Sequence, residues 1–564
     1  MAIDSIPETE QLFAGGGEMG LKLPASAAIL HGKPLVAAES FVWAGRSHGT
    51  TPRKVKAAAD KLFISGVNHI IYHGVPYEWH AGEPGSVFAE EGWYPFSSPE
   101  SDRMSFSSFI SPTNPLWPGF EDLNQYLARA QNLLQAGTAD SDVLIWYPFL
   151  GFPSSYSGSE VGATEPLFGG KFPDAEPGEG HSERGLAGVF PDAGPDPRVA
   201  WLEDMQVLTE SLNARGITWS WVSSHALQTG ALKPGVTEGG AHYKQILLAN
   251  VEAIDPADME ALLALQANGQ PITVYGSMPV RTPGYKDHAE NDRKVKAGVA
   301  KLMARGAENL RTIEQWKGFA ALLGRGDKLR YVADSKIRIF KRREEGTGIY
   351  FLSNPYADTE TLTLALQDET AAWWYSATDN TAWPVSVEKG VANLSLEGYE
   401  SRFLIVGRAQ PLNLPINHCS DQQTATEKVL AEWQVPELDN QLVDWQAKGQ
   451  ESRATPMIYK TYFIVDDTSG VHQLDLGLLH GMATVAINGR DAGLVATPPM
   501  RKDISRFLKA GRNRLEVSVT QAMRNTAIAK GVAGDARYAQ MRHFDGQWQA
   551  AGLLGPVTLR HCAP

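Results

Sequence analysis

Two apolar periods share this chain, and one gives way to the other near residue 316. Within Thr51–Gly66, Val55, Ala58, Ala59, Leu62 and Phe63 recur at helical spacing, with a proline near the start and a glycine at the end. That pattern predicts a helix. Short apolar runs at Pro34–Phe41 and His69–His73 flank it and predict strands, and Phe120–Gly137 predicts a second helix. Strands buried between helices fit a parallel sheet. Residues 1–138 hold two clear strand–helix units, too few to close a ring of eight. The expected fold there is part of a (β/α)8 barrel, with two or three parallel strands.

Alternation restarts after residue 139. Strands are expected at Asp142–Phe149, Ile217–Val222, Gln245–Val251 and Ile272–Gly276, and helices near 199–214, 256–268 and 290–305. A Gly/Pro/acidic stretch between them, up to about residue 198, reads as a long inserted loop. Residues 139–315 therefore read as a small doubly wound α/β domain. From 316 the helical period fades and short strands punctuated by turns take over, so 316–409 reads as a β-sandwich. PLNLP (411–415) reads as a linker, and 410–564 as a second all-β domain. In the last, Asn488-Gly489 between alternating strands predicts a type I′ hairpin.

Composition removes several classes. The 564 residues suggest about three to five domains and carry a net charge of −13, with no Lys/Arg block. A nucleic-acid partner is not expected. No run of about 18 apolar residues predicts a membrane span, and MAIDSIPETEQ does not resemble a signal peptide. Cys419 and Cys562 are the only cysteines and suggest neither a disulfide framework nor a metal cluster. The 15 tryptophans are ambiguous. Their flat faces suit sugar rings, although aromatics more often fill cores.

Candidate chemistry gathers early in the chain. Glu39, in AAESF, sits near the C-terminal end of an expected barrel strand, where barrel active sites collect. A carboxylate inside an apolar strand is costly without a partner, so the competing reading is a structural ion pair. Glu8 and Glu10 in IPETE offer a second carboxylate, which glycoside hydrolysis requires; an exposed loop acid is the plainer reading of Glu8. His73 ends the next strand, followed by Tyr77, Trp79 and His80, and these four are candidate substrate-binding residues. The spacing of His73 and His80 matches no zinc pattern. GGGEMG (15–20) fits a dinucleotide-binding expression, but no strand precedes it and no nucleotide cofactor is expected. Neither a G-x-S-x-G elbow nor a Walker lysine is present.

IPETE (6–10), SAAILHGKPLVAAESF (26–41), TPRKVKAAAD (51–60), GVNHIIYHG (66–74), EPGSVF (83–88) and LLQAG followed by SDVLIWYP (133–148) together resemble glycoside hydrolase family 106, the α-L-rhamnosidases. Near the end, VAINGRDAGLVATPPMRKDISRFLKAGRNRLEVSV (485–519) and AGLLGPV (551–557) resemble the sugar-binding jelly roll of family 2 glycosidases. The resemblance implies an inverting hydrolase of terminal α-L-rhamnosyl residues on a (β/α)8 barrel, with a calcium ion, and an exported bacterial enzyme. It implies Glu8 and Glu39 as the catalytic pair. Family members extend further at the N-terminus, so the remaining barrel strands are expected before Met1 or on another chain. RNTAIAKG (524–531) departs from the ending usual in such jelly rolls. Two rivals stand beside this reading: a non-catalytic carbohydrate-binding protein and a β-galactosidase-like hydrolase.

Overall fold

The computed structural model describes residues 4–12, 17–42, 47–75, 78–79, 92–93, 108–148, 197–325, 327–367, 371–407, 414 and 426–562. The expected loop after residue 149, most of the PLNLP linker, Tyr77, His80 and Cys419 lie outside the described residues.

The chain opens with β1 (Glu8–Leu12), α1 (Glu18–His31), β2 (Ala37–Val42), α2 (Pro52–Ile64), β3 (His69–Tyr72) and α3 (Gly119–Gln135). The strands form one parallel sheet in the order β1-β2-β3. α2 starts where its sequence says it should: the Thr51 side chain accepts from the Lys54 amide, and Pro52 fills the first turn, where a missing N–H costs nothing. Ala38 and Ser40 are fully buried on the helix side of the sheet, with Val55, Ala59 and Leu62 beneath. The opposite face leaves Glu8, Glu10 and Ile71 exposed. β1 and α1 were not expected as elements. β1 (ETEQL) has no apolar alternation, and α1 contains Pro24 and follows a glycine run.

A five-stranded parallel sheet follows. Its order is Glu308–Leu310, Ile272–Tyr275, Gln245–Ala249, Val143–Trp146, Trp219–Val222. The helices α4 (Pro197–Asn213), α5 (Ser224–Gln228), α6 (Pro256–Ala267), α7 (His288–Ala304) and α8 (Ile313–Leu323) accompany it. Residues alternate between two cores: Leu144, Trp146, Ile246 and Leu248 in one, Val143, Ile145, Trp219 and Leu247 in the other. That is the signature of strands covered on both faces. The helical period does not fade at 316. α8 crosses that point, held by a Thr312–Gln315 capping box and by Trp316, which is fully buried.

Beyond α8 the structure is mostly antiparallel. A three-stranded sheet and a six-stranded sheet share one core that includes Leu329, Leu362 and Leu394 from the first and Leu352, Trp374 and Leu404 from the second. Thr138–Ala139 joins the larger sheet beside Arg338–Glu344. Two further four-stranded sheets enclose a core containing Trp445, Tyr459, Val485 and Leu515. Asn488 and Gly489 both have positive φ, 54° and 78°, between paired Ile487 and Arg490, as a type I′ turn requires. RNTAIAKG lies in a short helix, α9 (Arg524–Val532). The expectation about cysteine is corrected: Cys562, buried at the end of the last strand, is disulfide-bonded. Among the described residues no helix is long and apolar enough to cross a membrane.

Candidate active site

β2 and β3 are aligned by side chains that reach across them. The Asn68 carbonyl oxygen accepts from the Val36 amide at 2.8 Å, and its amide nitrogen donates to the carbonyls of Pro34 at 2.9 Å and Leu134 at 3.1 Å. At the other end, fully buried Gln11 donates to the Ala58 carbonyl at 2.9 Å and accepts from the Phe41 amide at 3.3 Å. One glutamine thus joins β1, β2 and α2 within two residues of Glu39. Phe41 has φ 69° and is fully buried. A non-glycine residue held in the left-handed region costs of order 1–3 kcal/mol, and such strain collects where a side chain must be aimed.

Register then decides which carboxylates meet. Glu10 pairs with Glu39, and Glu39 with Ile71; Glu8 pairs with Ala37, one pleat lower. Registered neighbours in a parallel sheet point the same way. Glu8, Glu10 and Glu39 therefore share the face turned away from the helices. His73 follows β3 on the same side, and the Glu39 carboxylate contacts its Nδ1. The His73 amide donates to the Ser40 carbonyl at 3.0 Å, extending the β2–β3 pairing by one step. The Glu39 side chain is 34% exposed and that of His73 22%, so the pair is open to a ligand.

The structure brings Glu8, Glu39 and His73 to one face. Trp79 lies in a two-residue strand, Glu78–Trp79, paired with Gly92–Trp93; Tyr77 and His80 lie outside the described residues. Sequence reasoning missed two things. Glu10, not Glu8, stands beside Glu39, and His73 contacts the carboxylate itself. Both follow from inter-strand register, which a single strand's sequence does not carry. Among the described residues, no group of three or more His, Cys, Asp or Glu side chains is placed to hold a metal ion.

Known proteins resemble this chain in part. Residues 11–149 match the model of glycoside hydrolase family 106, alpha-L-rhamnosidase. The match contains Glu39 and His73; Glu8 and Glu10 precede it. A solved rhamnosidase from Novosphingobium sp. PP1Y superposes with a TM-score of 0.66 at 21% identity, over 99% of this chain and 51% of that one. The two share a fold, and this chain spans about half the length of that protein. A Formosa agariphila protein named "Putative beta-glucuronidase" is 21% identical over 336 residues, 59% of this chain and 23% of its own length. Over its first quarter, from the strand preceding Glu39 to the end of the first α/β strand, the chain is homologous to the α-L-rhamnosidase family.

Proposed function

We propose that this chain is part of a glycoside hydrolase of the α-L-rhamnosidase kind, cleaving terminal α-L-rhamnosyl residues, with Glu39 as a catalytic carboxylate. The observation that carries this is the contact of Glu39 with His73 on the open sheet face, inside the matched segment. A strand carboxylate held by a histidine is fixed in direction, as proton transfer to a glycosidic oxygen or from a water demands. His73 then orients Glu39 on the sheet face proposed to receive the sugar.

Two carboxyl groups about 6.5–9.5 Å apart serve inversion, and about 5–5.5 Å apart serve retention. In a parallel sheet the Cα atoms of registered neighbours lie about 4.8 Å apart, and those of diagonal neighbours two residues along lie about 8 Å apart. An inverting mechanism therefore pairs Glu39 with Glu8, and a retaining one pairs it with Glu10. Proton NMR of the first sugar released from an aryl α-L-rhamnoside reads the anomer directly. The β anomer supports Glu8, and the α anomer transfers the role to Glu10. Assays belong on the chain as it stands and on the longest reading frame containing it, with an aryl β-galactoside as control. Hydrolysis of the galactoside alone would overturn the rhamnosidase reading, and glycan binding without turnover by either form would favour a binding protein.

A further inference from the structure

A polar cleft of about 600 Å³ opens where α3, the sandwich hairpin around Ser376–Thr381 and the C-terminal loop around Pro499 meet. No residue of β1, β2 or β3 lines it, so it is separate from Glu39. Its walls are tied together. Arg129 of α3 donates to the carbonyls of Ala377 at 3.0 Å and Thr378 at 3.2 Å. Arg501 donates to Asp475 at 2.9 Å and pairs with Glu397. Behind the hairpin, buried Arg402 lies over the Trp383 ring and bonds Glu400. These contacts join three parts of the molecule around a preformed space.

Two groups facing that space are under-used. Asp379 is exposed to the cleft, while the protein packed around its other sides pushes its carboxyl above the ordinary range. Its side chain accepts from the Ser376 hydroxyl at 3.1 Å. Directly across the hairpin from Ser376, the Thr381 hydroxyl is enclosed and has no hydrogen-bond partner. A buried hydroxyl without a partner costs free energy unless something supplies one.

We propose that this cleft is a binding site for a neutral carbohydrate. Its size falls within the range of about 300–1,000 Å³ usual for small-molecule sites. Its lining holds four cationic side chains and four carboxylates, so it offers no net charge to select an ion. Arg501 and Arg402 already have carboxylate partners, which leaves an anion little to neutralise. The remaining chemistry is a set of closely spaced donors and acceptors. A sugar's vicinal hydroxyls both donate and accept, and can serve Asp379 directly and the Thr381 hydroxyl once that side chain turns toward the cleft. The site does not depend on the catalytic reading of Glu39.

Titration calorimetry of the chain with methyl α-L-rhamnoside, methyl β-D-galactoside and cellotetraose, with sodium galacturonate as the charged probe, tests this. At least one neutral probe binds, and more tightly than galacturonate. Asp379→Ala and Thr381→Val each weaken that binding about tenfold, the scale of one lost hydrogen bond to a charged or enclosed group. Hydrogen exchange of the unmutated chain locates the site regardless of how the variants fold: saturating probe slows residues 376–383 and 494–503. Failure of every neutral probe up to its solubility limit overturns the proposal. So does tighter binding of galacturonate, or protection confined to the β2–β3 face.

Discussion

At the scale of single residues, two side chains carry sharp consequences. Glu39→Gln keeps shape and hydrogen bonding but removes the proton or charge that a glycosidase needs. A group acting in the transition state shows its loss in kcat more than in KM. The expected fall in kcat is about 10²–10⁴-fold in the form that turns over aryl rhamnoside. Glu8→Gln should behave alike, and Glu10→Gln should be milder. A melting temperature lowered with near-normal turnover would instead mark Glu39 as a structural partner of His73. His48 makes a separate case. It is 4% exposed, neither ring nitrogen has a hydrogen-bond partner, and burial followed by the Arg524 charge pushes its pKa from 6.5 to about 4. The folded value lies below the unfolded one, so the unfolded chain binds the extra proton between them. Stability is intact above pH 6.5 and falls as pH drops toward 4, by about 3 kcal/mol across that window. Urea midpoints at both ends of this window test it. His48→Leu should flatten the fall relative to the parent, and an equal fall in both would refute the assignment.

At the scale of elements, legibility followed local physics. α2 was readable because Thr51, Pro52 and the Val55–Phe63 stripe agree with one another. The Asn488-Gly489 hairpin was readable because its turn needs residues that tolerate positive φ. β1 was not, since two of its five residues are acidic and it finds its stability in the β2 ladder and in Gln11. α8 was lost to an assumption that helices end where strands begin. The Glu39–His73 contact was invisible because it depends on register. Nor did sequence announce the joint between α2 and the sandwich. There Lys56, fully buried, donates to Asp60 at 2.8 Å, to the Tyr399 carbonyl at 3.0 Å and to the Ser401 hydroxyl at 3.0 Å, while Tyr126 of α3 bonds Asp60. Removing one partner of such a pair strands the other charge, at a cost of about 3–5 kcal/mol. Lys56→Met should therefore destabilise by that amount in urea melts, and Lys56→Met combined with Asp60→Leu by less. Equal losses would show that packing, not charge, holds the joint.

At the scale of the whole molecule, the question is which part opens first. An incomplete parallel sheet has free edges, and among the described residues β1 and β3 each pair only with β2. Unpaired edges and an exposed inner face argue for early opening of residues 1–138 as a block. The packing argues that this block divides. Val55, Leu62 and Phe63 of α2 and Leu123 and Leu127 of α3 belong to the same core as Phe351 and Phe403 of the six-stranded sheet. Phe63 meets Phe351 edge-on at 5.7 Å, and Gly119 at the start of α3 sits against Ala496 and Met482 of the C-terminal part. Those helices are held from behind by sheets that do not depend on β1 or β3. Amide exchange followed by mass spectrometry should find β1 and β3 least protected. Residues 55–63 should exchange as slowly as strand Thr347–Ser353, because opening α2 requires breaking the shared core. Fast exchange across all of 8–135 would mean that the first part opens as one unit and the shared core adds little. Slow exchange at β1 would mean that its edge is covered by another strand, which would make the open face of Glu39 part of a larger enclosure.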